Sequence, residues 1–148
     1  MKMNSKSNQQ GIMLLEALIG ILIFSIGILA MLGMQAVGMR NTIDSKYRSE
    51  AAYLANQIVG TMWIDRTNLA SYDDAGAGNA RKTAWINRVG STLPQDLVDP
   101  TTTAPIIALA IPAGSTQATQ ATVTVRWKRP GDPTVSRYIV VAQINDSL

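Results

Sequence analysis

Hydrophobic and polar positions divide the chain at Gly11. Before it lies a polar leader with Lys2 and Lys6 and no acidic residue. After it, Ile12–Met34 forms a 23-residue apolar run whose only strongly polar side chains are Glu16 and Ser25. As a helix that run is roughly 34 Å long, enough to cross a bilayer core. Past Met39 the pattern turns amphipathic. Ile43, Tyr47, Ala51, Leu54 and Ile58 recur at steps of three or four, with Arg40, Asp44, Lys46, Arg48 and Glu50 on other faces. The pattern predicts one helix from about Ile12 to Trp63, roughly 80 Å long, loosened weakly at Gly33.

The remainder reads as a small mixed domain. Asn68–Asn79, with Asp73, Asp74, Gly76 and Gly78, reads as a flexible connection. Ala80–Leu93 predicts a short helix with Trp85, Val89 and Leu93 on one face, stopped by Pro94. Ile106–Ile111 is a short apolar run bracketed by prolines. Thr122–Lys128 alternates, with Val123, Val125 and Trp127 on one side, and Arg137–Ile144 is apolar enough for a central strand. Arg129-Pro130-Gly131-Asp132-Pro133 is a turn that makes the last two segments an antiparallel hairpin. The expected class is α+β: a long N-terminal helix packed on a C-terminal domain with a short helix and an antiparallel sheet.

Length and charge narrow the picture further. The chain has 148 residues, which suits one small domain and one anchor. Net charge is +3, but two of the 13 basic residues stand in the leader, leaving 11 against 10 acidic ones beyond Gly11. With no basic run and no aromatic platform, nucleic-acid binding is not expected. There is no Cys and no His, which removes thiol nucleophiles, disulfides, imidazole bases and the usual zinc sets. No nucleophile–base arrangement remains, so neither an enzyme nor a cofactor is expected. Asp73 and Asp74 lack the alternating oxygen pattern of a calcium loop and read as a solvated turn. Trp85 reads as core. Arg126, Lys128, Arg129 and Arg137 gather near the hairpin and read as a solvated sheet face rather than a binding patch.

Glu16 carries the candidate chemistry. A charge at a membrane centre costs about 2.5–3.5 kcal/mol, so an intramembrane carboxylate calls for a partner. A secretory signal peptide has a shorter apolar core, although Ala36-Val37-Gly38 could imitate its cleavage site. A plain membrane anchor explains the length of the run and leaves Glu16 without a purpose. Cleavage after Gly11 supplies one: the new ammonium at Ile12 can be neutralised by Glu16 of a neighbouring helix. Each charge then offsets the other's desolvation, and a mis-registered helix leaves both unpaired. Ala17, Gly20, Gly27 and Gly38 fall within about 80° of helix circumference. That stripe is either a close helix contact or the ordinary glycine content of membrane helices.

Gly11-Ile12-Met13-Leu14-Leu15-Glu16 resembles the class III signal of type IV prepilins: Gly before the cut, an apolar first residue and Glu fifth. Ile12 stands where that family usually has Phe. Leu32–Gln35, Tyr47–Ala55 and Met62–Leu69 extend the likeness to PilV-type minor pilins, which modify type IV pili; it covers roughly residues 8–72. The resemblance implies cleavage after Gly11 and N-methylation of Ile12 by prepilin peptidase. It further implies a leader at 1–11, a transmembrane or filament-core half-helix at 12–39, and a soluble domain at 40–148 whose helix continues to about 65. Gly33 occupies the 22nd position after the cut, where major pilins often carry Pro. The implied place is the inner membrane with the domain in the periplasm, then the extracellular pilus. The implied partners, through the helix, are other minor pilins and the major pilin. A pseudopilin of a type II secretion system shares the same head, and an anchored adhesin is a further reading.

Overall fold

The computed structural model describes residues 9–113 and 118–145. Lys2, Lys6 and most of the expected leader lie outside the described residues. The first element, α1, spans Gln9–Ile64, 56 residues without a break at Gly33. It begins three residues before the expected start, so Gly11 sits inside helix. The chain divides into two compact units, residues 1–43 and 44–148.

In the first unit every described residue from Gly11 to Ile43 is exposed. The large apolar side chains from Ile12 to Met39 are between 43% and 74% exposed. Helix Gly11–Ile64 contains an 18-residue stretch of mean hydropathy 2.6, none of it buried. Withdrawing such a side chain from water is worth about 1.5–3 kcal/mol, so this surface is suited to lipid or other apolar helices. It is long and apolar enough to cross a membrane.

The second unit builds its core on the rest of α1. Ala51, Leu54, Ala55, Ile58 and Met62 are buried along one face, the face that the amphipathic pattern marks from Ala51 onward. Ile43, expected on the same stripe, is instead 39% exposed. Against that face pack α2 (Ala80–Thr92), through Trp85 and Val89, and the inner side of a three-stranded sheet. Asn79 caps α2, its Oδ1 accepting the Lys82 N–H at 2.7 Å, and the Leu93 N–H closes the far end on the Val89 carbonyl. The Trp85 indole N–H donates to the Leu54 carbonyl at 2.8 Å and ties α2 to α1.

The Asn68–Asn79 stretch departs from expectation. Its beginning belongs to a 3-10 segment, Arg66–Tyr72, with Leu69 and Tyr72 buried. The three-residue spacing of those side chains matches the 3-10 repeat. Asp65 gathers the segment by accepting the Asn68 amide at 2.8 Å and the Tyr72 hydroxyl at 2.9 Å. Gly76 completes the turn in close quarters, where a Cβ would lie 2.3 Å from the Ala70 carbonyl oxygen.

The sheet comprises β1 (Ile106–Ala110), β2 (Ala118–Trp127) and β3 (Ser136–Asn145), in the order β1-β2-β3 and antiparallel throughout. Ala121, Val123, Val125 and Trp127 point into the core from β2, as the alternation requires. The β2–β3 hairpin turns at Gly131, whose φ of +78° suits glycine, and the Asp132 N–H bonds the Arg129 carbonyl at 3.1 Å. The central strand is β2, whereas Arg137–Ile144 had the composition of one. It lies at the edge of the order β1-β2-β3, with Tyr138, Val140 and Ile144 on the core side and Ile139 and Val141 facing outward, 47% and 55% exposed.

Candidate functional site

The site that the sequence marks lies on the first turns of α1. Gly11, Ile12, Glu16, Ala17, Gly20, Gly27 and Gly38 all sit on this one helix, and all are exposed. Glu16 is one turn from Ile12 on one side and one turn from Gly20 on the other, so the three share a face.

The two strongly polar side chains of the apolar run differ in how they are satisfied. Ser25 donates its hydroxyl to the Ile21 carbonyl at 2.7 Å, one turn back, and so carries its own partner through an apolar medium. Glu16 makes no hydrogen bond or ion pair with any described residue. A helix has no free backbone N–H to offer a carboxylate at that depth. Among the described residues, Glu16 is therefore left without a partner. The glycines give a parallel result: a Cβ added at Gly11, Gly20, Gly27 or Gly38 meets nothing within 4 Å. Among the described residues, no packing demands a small residue at those positions. Next to Gly38, the Thr42 hydroxyl donates to the Gly38 carbonyl at 3.0 Å.

The second unit holds polar groups whose pairing sequence reasoning missed. Of the four cations near the hairpin, three brace the fold. Arg126 donates to the Ala104 carbonyl at 2.9 and 2.6 Å and reaches the Thr101 carbonyl. Lys128 lies 2.8 Å from the Asp96 carboxylate. Arg129 bridges Asp44 on α1 and Asp132 in the hairpin turn. Arg137 alone stays exposed, without a partner among the described residues. The solvated-face reading thus fits Arg137; the other three miss it because backbone carbonyls and carboxylates distant in sequence come to meet them.

These contacts shift the titration of the acids. The Lys128 ammonium and the Val98 N–H hold the Asp96 carboxyl down at about 2. The Thr134 hydroxyl and N–H, then Arg129, hold Asp132 at about 2. Asp65 is lowered by Asn68 first and Tyr72 second, with Arg81 3.2 Å from its carboxylate, and burial pushes the Tyr72 hydroxyl up. Asp96, Asp132 and Asp65 are thus stabilised as anions by their donors, while Tyr72 is held as the neutral phenol.

Asp73 and Asp74 are also engaged locally. The Lys82 ammonium lies 2.8 Å from the Asp74 carboxylate and donates to the Asp73 carbonyl at 2.8 Å. No group of three or more His, Cys, Asp or Glu able to hold a metal occurs among the described residues. No protein-family model matches the chain, and no curated protein or solved structure matches it.

Proposed function

We propose that the chain is a type IV prepilin, nearest in kind to PilV-type minor pilins, and that it acts by assembly rather than by catalysis. One observation carries this reading: Glu16, the fifth residue after Gly11, stands on an exposed apolar helix without a partner among the described residues. Prepilin peptidase cuts between Gly11 and Ile12 and methylates the new amine. Before assembly the helix holds the protein in the inner membrane with its second unit in the periplasm. On assembly the Ile12 ammonium of one subunit meets Glu16 of the next, among the helices of the major pilin and other minor pilins. The pair sets axial register because any slip buries two unpaired charges. Ala17, Gly20, Gly27 and Gly38 let neighbouring helices approach closely.

A type II pseudopilin would use the same head, and the segments Tyr47–Ala55 and Met62–Leu69 favour the pilus reading. Deleting the protein tests the choice. Loss or alteration of surface fibres with normal enzyme export supports the pilus; intact fibres with blocked export assign the chain to a secretion system instead.

A further inference from the structure

The two edges of the sheet are finished differently. β1 is five residues long, lies between Pro105 and Pro112, and has its Ile107 carbonyl taken by the Asp74 N–H at 3.0 Å. That edge is short and covered. β3 is ten residues long and pairs with β2 along its whole length without a bulge. No described loop or side chain bonds to its outer edge. It contains no Pro and no Lys, and its single charge, Arg137, stands near one end. Proteins usually blunt a free edge with a charge in mid-strand, a bulge, a Pro or a covering segment; among the described residues β3 has none of these. At its middle it presents the exposed pair Ile139 and Val141.

We propose that β3 is a homodimerisation strand, pairing antiparallel with β3 of a second copy about a two-fold axis at Val140. Self-complementarity of the strand selects this occupant and this register. With Val140 opposite its own copy, Ile139 faces Val141 on the outer side at both ends of the axis. Arg137 faces Gln143, and Tyr138 faces Ala142. Both apolar contacts join β-branched residues, the favoured cross-strand type, and no like charges meet. Every residue from 136 to 144 gains a partner. A shift of the axis to Tyr138 sets Arg137 against Ile139, and a shift to Ala142 sets Val141 against Gln143 and Ile139 against Asn145. A one-residue slip turns the second copy's core side to the opposite face. The product is a continuous six-stranded sheet, a contact that stands whether or not the chain enters a filament.

The test uses the full-length protein in detergent micelles, sized by sedimentation over a concentration series. The wild type is expected to dimerise. In Ile139→Lys/Val141→Lys the introduced lysines face each other across the axis twice, and the dissociation constant is expected to rise about tenfold or more. In Ile139→Lys/Val141→Glu, opposite charges face instead and dimerisation is expected to return. A monomeric wild type, a double-lysine variant that associates like the wild type, or a Lys/Glu variant as weak as the double-lysine one overturns the proposal. Because the chain has no Cys, a second readout is clean. Ile139→Cys protein mixed with Val141→Cys protein should oxidise to a disulfide-linked pair in higher yield than either alone. Equal yields would overturn the register.

Discussion

Lys128 and Asp96 are joined at 2.8 Å, fastening the end of β2 to the loop that follows α2. The same Asp96 carboxylate accepts the Val98 N–H at 3.0 Å, and the Asp96 N–H reaches the Thr103 hydroxyl at 3.2 Å. One ion pair thus organises a whole loop beside the core.

The acid dependence of stability follows from this pair. Asp96 titrates at about 2 in the fold against an ordinary 3.8, and Asp132 behaves alike. A depressed carboxyl stabilises the fold in full above about pH 4, and the contribution is lost as pH falls through about 2. Denaturation midpoints measured across that window should fall steeply for the wild type and less steeply for Asp96→Asn. Equal slopes for the two proteins would refute the role of the pair.

Trp85→Phe removes the indole donor to the Leu54 carbonyl and leaves a small void between α1 and α2. A loss of about 1–3 kcal/mol is expected in chemical denaturation. An unchanged midpoint would mean that the contact contributes nothing to the packing of α2.

Gly76→Ala places a Cβ 2.3 Å from the Ala70 carbonyl oxygen, which is backbone and has little room to yield. The variant should lose about 1–3 kcal/mol. Gly90→Ala, where a Cβ meets nothing within 4 Å of α2, should be neutral or stabilising. Reversal of that order would contradict the described turn.

Glu16→Val removes a charge that no described residue satisfies. The variant should insert in the membrane and be cleaved as well as the wild type, yet be depleted from purified fibres. Incorporation at the wild-type level would exclude Glu16 from setting register.

The parts of this fold that were legible in the sequence are those written in local period. Ala51, Leu54 and Ile58 announce the core face of α1, and the Val123–Trp127 alternation announces the buried face of β2. The 3-10 segment was opaque because Arg66–Tyr72 looks polar until Asp65 gathers Asn68 and Tyr72. The edge position of β3 was opaque for another reason: apolar residues record which face is covered, not whether a neighbouring strand exists. The bracing of Arg126, Lys128 and Arg129 depends on partners brought near only by folding. At the head of α1 the situation is reversed. Gly11 and Glu16 stand out in the sequence, and the fold adds only that Glu16 lacks a partner among the described residues.

The most direct measurement is the N-terminal residue and intact mass of the protein isolated from its membrane or fibre. A chain that begins at Ile12 and carries one added methyl group is the result the assembly mechanism predicts. A chain that retains Lys2 and Lys6, or that begins at Met39, would contradict it.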